Sequence, residues 1–255
     1  MVGPLRPDGK HEVATVLEKL ALCDAVSVRP ASATSVAGFP EDTLVRSALV
    51  ALSSAAGDTI RFEAQIAKRI PVAAGLGGGS SDAATALALA NGLLEPPLAP
   101  SELDRLAASL GADVPCFLRV GPQLGTGDGT ALQPLDLPRD YTVLLALARG
   151  ETKRSTADVY AAFDKRVGAV GFDQRRRGLV DALERVDSAG DLADLPPNDL
   201  ASSPLTAELR ALGAFRADVT GAGPVVYGLF ADRVHAVRAA DVVGDRAATW
   251  VTTPA

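Results

Sequence analysis

Apolar residues recur at helical spacing over residues 43–55, where Leu44, Val45, Ala48, Leu49 and Leu52 share one face. Residues 60–68 (Ile-Arg-Phe-Glu-Ala-Gln-Ile-Ala-Lys) alternate with period two and predict a half-exposed strand. Upstream, Val13, Val16, Leu17 and Leu20 lead into a strand-like stretch at 25–29. An alanine-rich helical pattern covers 80–93, and a second covers 101–110 with Ser101 as its N-cap. Residues 111–118 read as a turn entering a strand. The continuous apolar run at 142–148 predicts a buried strand. Helical spacing returns at 155–164 and 177–186. Pro196-Pro197-Asn198-Asp199-Leu200 breaks the chain and caps a further helix. Residues 217–230 read as strand, glycine turn and strand, followed by a helix at 233–242 and a last strand at 249–252. Strands and helices mix throughout, with hairpin-like pairs among them, which points to an α+β or α/β protein of two lobes. The lobe boundary falls near 148–153, giving lobes of residues 1–149 and 150–255.

With 47% hydrophobic residues in 255, the chain can bury a sizeable core. The net charge of −6 and the lack of a basic stripe argue against nucleic acid as a partner. No run of about 18 apolar residues occurs, so no membrane span is expected. Met1-Val2-Gly3-Pro4 reads as a turn without the features of a signal peptide, and a cytoplasmic protein is expected. Cys23 and Cys116 lie in apolar surroundings without CxxC spacing and read as buried free thiols. Neither histidine, His11 or His235, has a cysteine or histidine partner at metal-ligand spacing, so no metal site of that kind is expected.

The chemistry concentrates in Pro71-Val72-Ala73-Ala74-Gly75-Leu76-Gly77-Gly78-Gly79-Ser80-Ser81. A glycine-rich turn that opens a helix points several backbone N–H groups into one space, where the helix dipole favours an anion. Glycine lets the backbone approach the anion and adopt positive φ. No Gly-Lys-Ser/Thr follows, so this is not a Walker A loop, and the glycine spacing is not that of a dinucleotide fingerprint.

The run resembles the Pro-x-x-x-Gly-Leu-Gly-Ser/Gly-Ser-Ser phosphate loop of the GHMP small-molecule kinases. Four further segments follow the same order as in one family: Arg6-Pro7-Asp8-Gly9-Lys10-His11-Glu12-Val13, Leu110-Gly111-Ala112-Asp113-Val114-Pro115-Cys116-Phe117, Pro197-Asn198-Asp199-Leu200 and Val219-Thr220-Gly221-Ala222-Gly223-Pro224. Together they resemble the 4-diphosphocytidyl-2-C-methyl-D-erythritol kinases over essentially the whole chain. The resemblance implies an α+β, two-lobed GHMP kinase fold: a lobe like ribosomal protein S5 domain 2, then a ferredoxin-like lobe, with ATP and substrate meeting in a cleft. It implies ATP-dependent phosphorylation of the 2-hydroxyl of a cytidine-diphosphate-linked methylerythritol, a step of the non-mevalonate route to isoprenoid precursors. Mg2+ is expected as the ATP complex, and a monomer or homodimer is expected.

On this resemblance residues 71–81 cradle the ATP phosphates, with hydroxyl contacts from Ser80 and Ser81 to phosphate or magnesium. By the residues alone the two serines serve equally as helix caps. Asp113 is the catalytic carboxylate that orients the substrate hydroxyl and accepts its proton; by spacing alone it is equally a turn residue. Gly221, Ala222 and Gly223 approach the phosphate loop and the substrate. His11 hydrogen-bonds the cytosine ring, and Lys10 stands where the family usually stacks an aromatic on that ring. Tyr160 lines the substrate cleft or packs in the core. Asn198 and Asp199 read as structural caps.

The chain departs from the family pattern in three places. The family opens on a strand carrying Ala-Lys-Ile/Val-Asn-Leu, whose lysine lies beside the catalytic aspartate. No such string occurs here, and Lys10, Lys19, Lys68, Lys153 and Lys165 sit in other contexts. A start assigned too far downstream and a shortened, catalytically impaired nucleotide-binding relative both fit. Lys10 is the second departure. The third is Gly125-Thr126-Gly127-Asp128-Gly129 in place of Gly-x-Gly-Glu. A GHMP kinase for another alcohol, such as mevalonate or homoserine, is a further alternative, against which stands the Arg6–His11 string.

Overall fold

The structure, a computed structural model, describes residues 1–39, 41–58, 60–151, 155–166 and 168–255. Lys153 and part of the 148–153 boundary region lie outside the described residues. In chain order the elements are β1 (Val2–Leu5), β2 (His11–Leu17), β3 (Ala25–Ala31), β4 (Ser35–Ala37), α1 (Thr43–Ala55), β5 (Arg61–Ala67), α2 (Gly78–Asn91), α3 (Pro100–Leu110), α4 (Val114–Phe117), β6 (Gln123–Gly127), β7 (Ala131–Pro134), β8 (Thr142–Ala148), α5 (Thr156–Lys165), α6 (Phe172–Leu183), α7 (Pro204–Ala211), β9 (Arg216–Val219), β10 (Val226–Phe230), α8 (Arg233–Val243) and β11 (Ala247–Thr252). By contacts they form two compact units. One holds Met1–Ala21, Ala73–Leu76 and Gly121–Ala255; the other holds Leu22–Val72 and Gly77–Val120.

The second unit is the mixed sheet β3-β5-β4 covered by α1 to α4. Alternation along β5 buries Phe62, Ala64 and Ile66 on one face. Against them pack Val45, Leu49 and Leu52 of α1 and Ala83, Ala84, Ala86, Leu87 and Ala90 of α2. The alanines let α2 approach closely, since small side chains shorten the distance at which two helices interlock. Asp42 caps α1 by accepting from the Leu44 and Val45 N–H groups at 3.0 Å.

The first unit contains two antiparallel sheets. One runs β1-β2-β6-β7, the other β11-β8-β10-β9. With α7 after β8 and α8 after β10, the second sheet follows the β-α-β-β-α-β order of a ferredoxin-like fold. Leu144, Leu209, Phe230, Ala236 and Val243 are fully buried in its core. Strand β8, placed by the sequence on the N-terminal side of the 149/150 boundary, pairs with β10 and β11. Phe172, Leu179 and Leu183 of α6 pack on Ala14 and Leu124 of the other sheet.

The structure corrects several local expectations. Residues 2–5 form a strand paired with β2, and the turn lies after them, where the Gly9 N–H donates to Arg6 O at 3.0 Å. Helix α3 starts at Pro100 with Ala99 as N-cap, so Ser101 lies inside its first turn. Proline suits that position because its missing N–H would be unpaired there anyway. Residues 114–117 are a short helix rather than a strand. The apolar run Val-Pro-Cys-Phe mimics a buried strand in sequence, and Pro115 in its first turn favours the helix. Helix α7 is capped by Ser203, not by residues 196–200. Cys116 is buried but Cys23 is exposed, and both are free thiols.

Candidate functional site

The glycine run ends β5 and opens α2. Its φ is +56° at Ala73, +77° at Gly75 and +69° at Gly77, so every second residue is left-handed. Alternating left- and right-handed residues turn consecutive N–H groups to one side, the geometry that cups an anion. Gly77 is the N-cap of α2 and no side chain caps the helix. Ser80 and Ser81 therefore lie within the first turns and do not serve as caps. The helix begins two residues earlier than the sequence predicts, and Gly78 and Gly79 are helical. A Cβ on Gly78 would lie 3.2 Å from the Ile70 side chain, whereas one on Gly79 would meet only Asp42 Oδ2 at 3.8 Å. The first N–H groups of a helix have no partners within it. Here they open α2 without a side-chain cap, as an oxyanion site requires.

Asp113 is exposed and immediately precedes α4, which packs on α2. Its side chain makes no capping bond to α4. Val114 and Cys116 are buried, and the Phe117 ring lies 3.1 Å from where a Cβ on Gly77 would stand. The helix that carries Asp113 thus abuts the N-cap of the helix that ends the glycine run.

Three further residues cluster at the foot of the run. Lys68 Nζ donates to Asp24 Oδ2 at 2.5 Å and to Asp82 Oδ2 at 2.8 Å. Asp24 Oδ1 also accepts from the Arg69 and Ile70 N–H groups. Both carboxylates are sealed from solvent and the ammonium nearly so. Burial disfavours the charged lysine, but the two carboxylates outweigh it and hold Lys68 above its usual value. Burial pushes Asp82 up to about 6 against the pull of Lys68, with Asp24 and Asp42 adding to the rise.

In the other unit, the loop at Gly221, Ala222 and Gly223 meets the segment 73–76. A Cβ on Gly75 would stand 2.4 Å from Gly223 O. Asn198 holds this loop in shape: its Nδ2 donates to Val219 O at 2.8 Å and Gly221 O at 2.7 Å, and its Oδ1 accepts from Leu200 N. Asp199 accepts from Val2 N at 2.8 Å and pairs with Arg175. Both residues tie segments together, and neither caps a helix.

His11 is buried at the start of β2, with Nδ1 2.9 Å from Gly3 O. The Tyr160 ring lies 4.9 Å from the imidazole and the Phe163 ring packs edge-on at 6.0 Å. Lys10, its neighbour, turns to the β6–β7 turn, where its Nζ donates to Asp128 Oδ2 at 2.7 Å. Thr130 also donates to Asp128. These bonds hold the Asp128 carboxyl well below the usual carboxylate range.

Residues 43–121 match the family described as GHMP kinases N terminal domain, and residues 200–248 match GHMP kinases C terminal. The 4-diphosphocytidyl-2-C-methyl-D-erythritol kinase of Nocardia farcinica is 40% identical over 99% of this chain and 88% of its own length. That of Rhodococcus jostii is 39% identical over 93% and 82%. The chain belongs to the 4-diphosphocytidyl-2-C-methyl-D-erythritol kinase family. A crystal structure of 4-(cytidine 5'-diphospho)-2C-methyl-D-erythritol kinase, 30% identical, superimposes with a TM-score of 0.77 over all of this chain and 94% of that one. A mevalonate kinase superimposes equally well, at TM-score 0.77 over 94% of this chain and 92% of its own, with 12% identity, and so shares the fold.

Two segments that the sequence sets apart from the resemblance, at Lys10 and at 125–129, meet in the structure. Lys10 and Asp128, one residue from each of these segments, are bonded to each other. The cluster at Lys68 escaped the sequence reading, although it left a signal. The alternation that buries residues 62, 64 and 66 puts residue 68 on the same face. A lysine there needs a buried partner.

Proposed function

We propose that this chain transfers the γ-phosphoryl group of ATP to the 2-hydroxyl of 4-diphosphocytidyl-2-C-methyl-D-erythritol, in the route to isoprenoid precursors. The glycine run at α2 carries the reading. Its left-handed residues and uncapped first turn leave N–H groups for phosphate, and Gly75, Gly77 and Gly78 admit no side chain there without displacing neighbours. Residues 71–81 form the phosphate cradle, with Ser80 and Ser81 adding hydroxyl donors. ATP brings its Mg2+, which shields phosphate charge.

Asp113 orients the substrate hydroxyl and accepts its proton. As the new O–P bond forms, the bond from the γ-phosphorus to the bridging oxygen breaks and ADP leaves. Gly221, Ala222 and Gly223 place backbone beside residues 73–76 of the run. His11 and Tyr160 form the base pocket, with Lys10 at its edge held by Asp128. In this division residues 43–121 serve ATP, and the ferredoxin-like sheet, including β8, forms the C-terminal lobe. Among the described residues no helix is long and apolar enough to cross a membrane. The enzyme works in the cytoplasm as a monomer or homodimer on a small molecule.

Competition separates this reading from a kinase for another alcohol. Cytidine nucleotides inhibit competitively against the alcohol substrate, and mevalonate and homoserine are not phosphorylated. Turnover of either alcohol, with no inhibition by cytidine nucleotides, contradicts the reading. His11→Ala raises KM for the cytidine substrate about tenfold or more, the scale of one or two lost polar contacts, and leaves KM for ATP unchanged. An equal rise in both would remove His11 from the base pocket.

The Lys10–Asp128 pair has a separate signature in acid. A carboxylate with a lowered pKa adds stability above its ordinary value, and that stability is lost as pH falls through the folded value. The Tm of Asp128→Asn is therefore below wild type at pH 7, and the gap narrows below about pH 4. A gap that is the same at pH 3 and pH 7 rules out this contribution.

A further inference from the structure

The glycine run has little stiffness of its own. Glycine leaves the backbone many conformations, and each ordered residue costs entropy that something else must offset. The run's two ends in this unit are the exit of β5 and the first turns of α2, and one side chain ties them. Lys68, the residue after β5, reaches Asp82 in the second turn of α2 at 2.8 Å. It also reaches Asp24, whose other oxygen accepts from the Arg69 and Ile70 N–H groups immediately before the run. Nothing else about these residues requires ions. Asp82 faces the apolar side of α2, with Ala86 and Ala90 one and two turns on, where an apolar residue would pack. Such a buried ion cluster gives little net stability over apolar replacements, so its use is better sought in the geometry it enforces.

We infer that Lys68, with Asp24 and Asp82, is a positioning group for ATP: an ionic clasp that fixes the separation and angle between β5 and α2, and so pre-forms the phosphate cradle. The inference rests on the proposed kinase reading. Lys68 need not touch the nucleotide. It acts through the main chain by sparing ATP the ordering of residues 71–79 on binding. Preorganisation of this kind appears in affinity and leaves the chemistry of the second substrate alone.

The test is calorimetric binding of a non-hydrolysable ATP analogue with Mg2+, beside steady-state kinetics on the full chain. Lys68→Met alone leaves two buried carboxylates without a cation and threatens the fold. The principal variant is therefore Lys68→Met combined with Asp82→Asn, which removes the cation and one anion at nearly constant volume. Lys68→Gln combined with Asp82→Asn, which keeps an N–H donor beside Asp24 and leaves one carboxylate instead of two, is measured in parallel so that the result does not hang on one fold. The Asp82→Asn single variant keeps a bond from Lys68 and serves as the conservative control. The clasp predicts cooperative melting in the variants and at least about a tenfold rise in analogue Kd and in KM for ATP, the order of one ordered residue. KM for the alcohol substrate stays within about twofold, and Asp82→Asn alone, which keeps a hydrogen bond from Lys68 but loses the ion pair, raises analogue Kd by less than the double variant does. A folded variant that binds the analogue like wild type overturns the clasp and leaves the kinase reading standing. If wild type itself does not bind the analogue, the kinase reading fails first. Equal rises in both KM values would mark a structural residue and overturn the positioning role.

Discussion

Asp113→Asn sharply slows phosphoryl transfer while leaving ATP binding intact. The expected loss in kcat is about 10²- to 10⁴-fold, the range for removing a positioned general base. The substitution is informative because it removes the charge and keeps the shape. Asp113 is exposed, its side chain does not cap α4, and asparagine has the same shape. The anchors of α4, Val114 and Cys116, remain buried. The glycine run is untouched, so the Kd of a non-hydrolysable ATP analogue stays within about twofold of wild type, a change too small to mark a lost contact. Parallel turnover and calorimetry check this. Residual turnover near wild type would remove Asp113 from the chemistry. A matching loss of ATP affinity would make it a cradle residue instead.

Gly75→Ala has the second large effect, for a steric reason. The new methyl would stand 2.4 Å from Gly223 O and 3.1 Å from Gly223 C. Both are backbone atoms, so no rotamer relieves the clash. The φ of +77° adds strain for any residue with a Cβ. The segment at 73–76 and the loop at 221–223 must separate, which dismantles both motifs together. Stability falls by about 1–3 kcal/mol, as for other overpacked sites. Affinity for ATP falls at least tenfold, the order for mis-set backbone donors. Gly57→Ala is the control. Its φ is +80°, but nothing lies within 4 Å of the added carbon. It therefore carries the backbone strain without the clash and keeps wild-type ATP affinity. Should the two variants behave alike, the close approach of residues 75 and 223 has no functional weight.

Legibility in the sequence followed the physics of each element. Residues 43–55 and 142–148 form the helix and the strand that their patterns predict, with the same ends. Both bury an unambiguous apolar face, and that burial dominates their stability. The start of α2 was misjudged because glycine is a poor helix former. Burial of the alanine and leucine face of α2 in the core overrides that propensity. Residues 114–117 failed for the opposite reason: four residues carry too little periodicity to separate a helix from a strand. At the site, the glycine run, Asp113, His11 and the 221–223 loop were all named from motifs. Lys68, Asp24 and Asp82 were not, because their bonds span 44 and 14 residues and follow no local spacing. The Lys10–Asp128 pair spans 118 residues. No local spacing links its members, and the fold brings them together.

Direct observation of product is the most stringent check on the account. The full chain is incubated with ATP, Mg2+ and 4-diphosphocytidyl-2-C-methyl-D-erythritol, and the reaction is followed by phosphorus NMR. One new phosphate ester is expected on the 2-hydroxyl for each ADP formed, with its formation slowed at least about a hundredfold in Asp113→Asn. ATP binding without a new ester would contradict this and would make the chain a nucleotide-binding relative.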